Sequence, residues 1–313
     1  MRIPAYKSKR REKESIMITS VYISNEKIQV LTGDGDKKGR LDVKACMYAT
    51  LPEKAMANGV ITDELGVKEA IQKVWDKYNL PKRDVHLVID SGTILNKKIA
   101  CPILPKESLP SVVKEEFKDV EGFANFLFDY TVIEDGRYGE PLLFANAVGK
   151  ELVAAYVRVF QGLGIQLSRI NTGINAEMAL IAANPATAND TQIVVNLDPT
   201  SLTSVLYIDG KYSFASRSRL LEQRGTEASR MEIVRALSSL IQFARSENSQ
   251  KPVKAVYVCG MVEAEADLCP KISAMLGCPV STLPACDNIT CTRDKNKAAF
   301  LMADYTYALG NML

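Results

Sequence analysis

The same plan of strands and turns is written twice in this sequence. From Ile16 to Leu31, Met17, Thr19, Val21 and Ile23 alternate, the pattern breaks at Ser24-Asn25-Glu26-Lys27, and Ile28 and Val30 resume it. That is the signature of two half-buried strands joined by a turn, with Asn25 the best turn former. Gly33-Asp34-Gly35-Asp36 predicts a second turn and Leu41 to Leu51 a third strand. After Thr191 the plan starts over. Gln192 to Leu197 reads as a strand, Asp198-Pro199-Thr200-Ser201 as a turn and Leu202 to Ile208 as the return strand. Asp209-Gly210 is then a hairpin turn before Tyr212 to Ala215. Two hairpin-led meanders, each followed by helices, predict an internally duplicated α/β protein with a cleft between its halves.

The segments between and after the meanders fit that frame. Val67 to Tyr78, with Ala70, Ile71, Val74 and Tyr78 on one face, is an amphipathic helix that stops before Pro81. A separate unit is expected from Asp84, where strand His86 to Ile89 is turned by Ser91-Gly92-Thr93 and returned by Ile94 to Ala100. Leu109 to Val120 carries Val112, Val113, Glu116 and Phe117 at helical spacing. Asp129 to Ile133 and Leu142 to Val148 form a strand pair turned at Glu134-Asp135-Gly136, and helix Lys150 to Gly162 follows. In the second half a long helix, Glu227 to Ser246, leads to the buried strand Val256 to Cys259. Gly260 ends that strand, and a terminal helix is expected from about Lys297 to Leu309.

Bulk properties exclude several classes. With 47% hydrophobic and 24% charged residues over 313 positions, the chain has the make-up of a water-soluble protein of two domains. Its net charge of +2 gives no field directed at nucleic acid. Charge concentrates only in Lys7, Lys9, Arg10, Arg11 and Lys13, so residues 1–15 are expected to be a disordered, solvated start, with a weak membrane contact as the sharper alternative. No stretch reaches the roughly 20 apolar residues of a membrane span, and no secretory leader is evident, so a cytoplasmic location is expected. Seven cysteines without a Cys-x-x-Cys pair and a single histidine, His86 on an apolar strand, offer neither a zinc site nor a nucleophilic dyad. Gly33 to Asp36 lacks the later ligands of a calcium loop.

The order of these parts resembles the actin, hexokinase and Hsp70 superfamily, and its details are similar to the PilM and FtsA branch. The resemblance is carried by Val88-Ile89-Asp90-Ser91-Gly92 with Lys97-Lys98-Ile99, by Pro102-Ile103-Leu104-Pro105, and by Phe128-Asp129-Tyr130-Thr131-Val132-Ile133. It continues through Leu143 to Val148, Glu151-Leu152-Val153, Gly164-Ile165 and Ile170-Asn171 to Glu177-Met178-Ala179-Leu180, and ends at Ala308-Leu309-Gly310. It implies an actin-like (ribonuclease H-like) two-lobed duplicated fold with an inserted small α+β subdomain. The first lobe would span 16–190, with the insertion at about 84–165, and the second 191–313. It also implies a role: a cytoplasmic scaffold of type IV pilus assembly that docks the cytoplasmic N-terminal tail of a PilN-like inner-membrane protein. The pilus motor ATPase complex would be reached indirectly and the membrane only through partners.

In that superfamily each lobe offers ATP a hairpin of the form Asp-x-Gly-Ser/Thr. The carboxylates hold hydrated magnesium or orient water, and glycine lets backbone N–H groups approach phosphate. Carried onto this sequence, the first loop has Tyr22 in place of aspartate and Ser24 in place of glycine, with Asn25 at its tip and Glu26 adding negative charge. The second has Asn196 in place of aspartate, Asp198 in place of glycine, Pro199 without an N–H, and then Thr200. Of the glycine pair under adenosine only Gly260 is kept, and Met261 is expected to crowd a base. Loss of hydrolysis and of useful ATP affinity is therefore expected, with no cofactor. The alternatives are a live actin-like ATP-binding protein or sugar kinase with magnesium-ATP, a type II secretion scaffold of the GspL kind, and an FtsA-like division protein. GspL proteins continue into a membrane-spanning helix, absent from this sequence up to Leu313. FtsA proteins carry an amphipathic membrane helix, which Ala298 to Tyr305, lacking basic residues, does not resemble.

Overall fold

The computed structural model describes residues 16–36, 39–135, 140–247, 252–291 and 302–313. The charged first 15 residues, Gly136 of the expected turn and residues 297–301 of the expected terminal helix lie outside them.

The first lobe opens with β1 (Ile16–Ile23), β2 (Lys27–Gly35) and β3 (Leu41–Thr50), an antiparallel meander. The short pair β4 (Met56–Ala57) and β5 (Val60–Ile61) precedes α1 (Glu64–Tyr78). This helix starts one turn earlier than its apolar spacing suggested, because the Asp63 side chain caps it by accepting from Gly66 N–H at 3.0 Å. Asn79, in the left-handed region, ends it.

β6 (Val85–Ile89) pairs in parallel with β1 and with β10 (Leu167–Thr172). Between β6 and β10 run β7 (Leu95–Ala100), α2 (Leu109–Glu116), β8 (Phe126–Glu134), β9 (Leu142–Gly149) and α3 (Lys150–Gln161). After β10 comes α4 (Gly173–Ala183).

The second lobe repeats the arrangement with β11 (Gln192–Asp198), β12 (Ser201–Ile208), β13 (Lys211–Arg219), α5 (Glu227–Glu247), β14 (Ala255–Cys259), α6 (Leu268–Leu276) and β15 (Val280–Ser281). β16 (Ile289–Cys291) and α7 (Thr306–Gly310) close the described chain. The first sheet is ordered β10-β6-β1-β2-β3-β16 and the second β13-β12-β11-β14-β15. Apart from β16, and counting only each sheet's own strands in chain order, both are ordered third, second, first, fourth, fifth. The register agrees as well: Tyr22 faces Gln29 as Asn196 faces Thr203.

Each sheet is covered on both faces, which is why its central strands read as continuous apolar runs. Val21, Val30, Val85 and Leu87 pack outward against Val67, Ile71 and Trp75 of α1 and Tyr156 and Phe160 of α3. Val195, Leu206 and Val258 pack outward against Ile233 and Leu237 of α5 and Ile272 of α6. A third core lies between the sheets, where Leu31, Val43, Val194, Val205 and Tyr207 close on Leu180 and Ile181 of α4 and Ala308 and Leu309 of α7.

Four expectations change. Gly33 and Asp34 do not turn but continue β2 across a bulge after Thr32; a Cβ on Gly33 would meet the Asp42 carbonyl at 2.6 Å, so the bulge needs glycine. β7 does not return on β6 but pairs with β9, in a three-stranded sheet ordered β7-β9-β8. The insertion is accordingly shorter than 84–165, since β6 is an inner strand of the first sheet and α3 packs on that sheet's outer face. Nor does everything after 191 stay in the second lobe: β16 adds in parallel to β3, and α7 packs on α4.

Candidate functional site

The hairpin tips of the two lobes meet. β1 and β11 are equivalent central strands, and both run toward the interlobe cleft, so Tyr22, Ser24, Asn196 and Asp198 line one cavity with Gly260. It is small, about 50 Å³. Asn25 bridges across it: its Nδ2 donates to Asp198 Oδ2 at 2.6 Å, and its Oδ1 accepts Gly59 N–H at 3.1 Å. Tyr22 stacks edge-on against Tyr307 of α7 with ring centroids 5.1 Å apart.

Two of the eight expected residues lie elsewhere. Met261 packs into the core of the second lobe, with its Sδ 3.8 Å from Cys269 Sγ, so it does not crowd the cavity; the thioether is better satisfied among apolar neighbours. Thr200 is exposed, and only its carbonyl is used, accepting Leu220 N–H at 2.8 Å. Glu26 is exposed as well.

Charged residues that the sequence reading did not single out for this site complete it. Asp90, delivered by the end of β6, is paired with Arg217 of β13 at 3.0 Å, and Arg217 Nη2 also reaches Ser201 Oγ at 3.5 Å. Burial, and next the charge of Asp90, push the Asp198 carboxyl up to about 6. Glu177 of α4 is fully buried and accepts from Tyr207 Oη at 2.7 Å and from Asn196 Nδ2; burial pushes its carboxyl up to about 8. Arg224 pins the second lobe's loops together. Its Nη1 donates to the Asp198 carbonyl and its Nη2 to the Gly260 carbonyl, both at 3.1 Å, while Glu265, only 2% exposed, takes Nε at 2.6 Å. Burial alone would raise Glu265, but Arg224 and the Val262 and Gly225 amides outweigh it and hold its carboxyl below the usual range.

Some of these residues carried a signal. Asp90 ends an apolar strand in the form Asp-Ser-Gly, the pattern sought in the hairpins, and Glu177 is the lone carboxylate of an apolar helix. Arg217 and Arg224 carried none, because their partners lie 127 residues away in one case and 41 residues away, on a short 3-10 helix, in the other.

A larger groove of about 620 Å³ adjoins the cavity and shares Asp90, Thr203 and Arg217 with it. One wall is the unbroken run Ile94–Lys98, the other the unbroken run Tyr212–Arg217, and the N-terminus of α4 forms the floor. Strand faces line a pocket with alternate residues, so unbroken runs mean that backbone edges form the walls. β7 and β13 are indeed the outermost strands of their sheets among the described residues. Lys98 and Arg219 stand exposed near the ends of these two strands.

The comparisons agree with this architecture. Among solved structures the chain is similar to the PilM-PilN type IV pilus biogenesis complex, at 14% identity and TM-score 0.81, over 95% of this chain and 98% of that one. It is also similar to the ethanolamine utilization protein EutJ from Carboxydothermus hydrogenoformans, at 13% identity and TM-score 0.52, over 95% and 90%. The cytoplasmic domain of EpsL, an inner membrane component of the type II secretion system of Vibrio cholerae, aligns at 9% identity and TM-score 0.50, over 92% and 94%. No curated protein matches the sequence. No helix among the described residues is long and apolar enough to cross a membrane. The two-lobed duplicated α/β fold is actin-like. The family model for type IV pilus assembly protein PilM matches residues 20–190, more than half of the sequence, and the chain belongs to that family.

Proposed function

We propose that this protein is a cytoplasmic scaffold of type IV pilus assembly that holds the extended cytoplasmic tail of a PilN-like inner-membrane protein between β7 and β13, and that it does so without nucleotide. The observation that carries the docking half is the groove of about 620 Å³ with a strand edge on each side. Exposed edges recognise an extended chain through its main-chain hydrogen bonds. The related solved complex pairs PilM with PilN, which favours a tail of that kind over other extended segments. Membrane attachment follows through the partner, and the motor ATPase complex is reached indirectly.

The nucleotide half rests on fit. Nucleotide-sized ligands occupy pockets of roughly 300–1,000 Å³, whereas about 50 Å³ remains between the hairpin tips. Asn25 and Arg224 already take hydrogen-bonding groups of these loops, and a phosphate would face the carboxylates of Asp90, Asp198 and Asp304 against two lining cations, Lys27 and Arg217, the latter already paired with Asp90. Similarity to the type II secretion protein extends to the fold, and nothing in the groove favours that system over the pilus.

The test is fluorescence anisotropy with a labelled N-terminal peptide of the PilN-like protein encoded in the same genome, beside calorimetric titration with magnesium-ATP. Micromolar peptide binding lost in Ser213→Trp, which fills the groove, is the expected result. Absence of peptide binding removes the scaffold reading; micromolar ATP binding removes the nucleotide-free one.

A further inference from the structure

The first lobe has an open strand edge of its own. β3 pairs with β2 along its whole length, but on its other side β16 reaches only Leu41–Val43, so among the described residues the edge from Lys44 onward is unpaired. The run from Ala45 to Leu51 holds no charge, proline or glycine. Proteins blunt free edges with lysine, proline, bulges or a covering element. Here Lys44 and Pro52 bracket the run and leave its middle open, with Tyr48 67% exposed.

This edge is one wall of a groove. A cavity of about 740 Å³ lies between the unbroken run Cys46–Pro52 and the face of α1 from Gly66 to Tyr78. Its depth is apolar: Ala70 and Val74 of α1 are buried, and Met47 and Ala49 turn into the same outer core of the first lobe. Strand alternation sends Tyr48 to the opposite face. Pro52 lies at the start of α1, since a Cβ on Gly66 would be 3.0 Å from its Cγ. The helix therefore runs back along the strand, with Glu69 near the Pro52 end and Lys73 and Lys77 toward Cys46. Both lysines are exposed, and neither is in an ion pair among the described residues.

We infer that the groove between β3 and α1 is a second docking site, which takes an extended acidic segment of a partner protein as an added strand. Its main chain pairs with the edge over 44–51, apolar side chains of one face enter toward Ala70 and Val74, and a carboxylate meets Lys73 and Lys77. A helix laid there would leave the N–H and C=O groups of the edge unmatched. A second copy of this chain fits less well. Antiparallel pairing of β3 with β3 puts both α1 helices on one face, where Lys73 and Lys77 of both copies would meet only the two Glu69 side chains. The site shares no lining residue with the groove between the lobes, so the two are filled independently.

The experiment pans a phage-displayed random 12-residue library on the full-length protein and keeps the peptides that bind Ser213→Trp equally well, which sets aside those held between the lobes. These are synthesised and measured by fluorescence anisotropy and hydrogen–deuterium exchange. Expected are peptides that share Asp or Glu and slow amide exchange over 44–51. They bind roughly tenfold more weakly to Lys73→Glu with Lys77→Glu, and more weakly at raised salt. Tyr48→Lys, which puts a charge on the open edge, weakens them independently. Thermal melting verifies that each variant is folded. No such peptides, peptides that leave exchange over 44–51 unchanged, or peptides indifferent to the lysine reversal overturn the inference. So does an edge already protected in the free protein: protection that grows with protein concentration identifies a second copy there, and protection at every concentration identifies the chain's own residues. Each of these outcomes leaves the interlobe groove to its own peptide test.

Discussion

Asn25 and Asp198, the tips of two hairpins 173 residues apart in the chain, are joined by a side-chain hydrogen bond of 2.6 Å. The opposite end of the Asn25 amide is held by Gly59 N–H, so the carboxamide is used at both ends. The tips of the two loops expected to flank a phosphate are here bonded directly to each other. The lobes are closed by their own side chains.

Replacing Asn25 by Ala should therefore loosen the lobes and not merely a loop. Burial and Asp90 already hold Asp198 at about 6, and loss of a donor raises it further. A carboxyl whose folded pKa is raised favours the folded state most below its unfolded pKa and gives up that contribution as pH rises through about 6. Asn25→Ala should cost about 1–2 kcal/mol at pH 8 and less at pH 5, where the carboxyl is protonated. Thermal melts at the two pH values measure the difference; an equal deficit at both would separate Asn25 from the ionisation of Asp198.

Glu177 gives a larger pH signature in the opposite sense to ordinary surface carboxylates. Its carboxyl is pushed to about 8 by complete burial between α4 and the second sheet. The folded state therefore holds its proton where the unfolded chain has lost it. The associated stability is full below the unfolded carboxylate range and falls away up to pH 8. Glu177→Gln keeps a carbonyl for Tyr207 while removing the titration. Melting temperature should decline from pH 5 to pH 8 in the natural protein and stay flatter in the variant, the curves crossing or converging at acid pH.

Arg224 should be among the costliest single truncations in the second lobe. Removing it strands Glu265, 2% exposed, with only backbone amides and frees the carbonyls of Asp198 and Gly260. Breaking one side of a buried ion pair costs about 3–5 kcal/mol, whereas replacing both partners by apolar groups is often near neutral. Urea unfolding midpoints should thus fall sharply for Arg224→Ala and recover in Arg224→Met with Glu265→Leu.

The elements that the sequence disclosed are those whose cause is local. Alternation in β1 and β11, turn chemistry at Asn25 and at Asp209-Gly210, and the apolar stripes of α1, α3 and α5 each reside within a few adjacent turns or strand repeats. The elements it hid depend on distant partners. β6 looks like the first strand of an insertion until β1 and β10 are seen on either side of it. Gly33 and Gly35 look like turn residues, but Gly33 is small because the Asp42 carbonyl leaves no room. The site divides in the same way: the hairpin tips were found by their place in the repeat, while Arg217 and Arg224 sit in no pattern and matter only because Asp90 and Glu265 face them. Met261 misled because its sequence position fixes the backbone and not the direction of the side chain.

The close contact of α7 with α4 supplies the last prediction. Gly310 lies in α7 with its Cα against the backbone of α4; a Cβ there would be 1.9 Å from the Ala176 carbonyl oxygen and 3.3 Å from Leu180 Cβ. No rotamer relieves a clash between a Cβ and a backbone oxygen, so Gly310→Ala must separate the two helices. α7 also carries Tyr307, whose ring packs on Gly173 and stacks on Tyr22, and Ala308 and Leu309 in the core between the lobes. Overpacking costs typically 1–3 kcal/mol where the surroundings can shift, and here the obstacle is helix backbone. Gly39 provides the comparison: its φ is +75° but nothing lies within 4 Å, so Gly39→Ala carries only conformational strain, about 1–2 kcal/mol. Gly310→Ala should lower the melting temperature more than Gly39→Ala, and it alone should expose the C-terminal segment to limited proteolysis. Equal losses, with the C-terminus protected in both, would mean that α4 and α7 can part without disturbing the interlobe core.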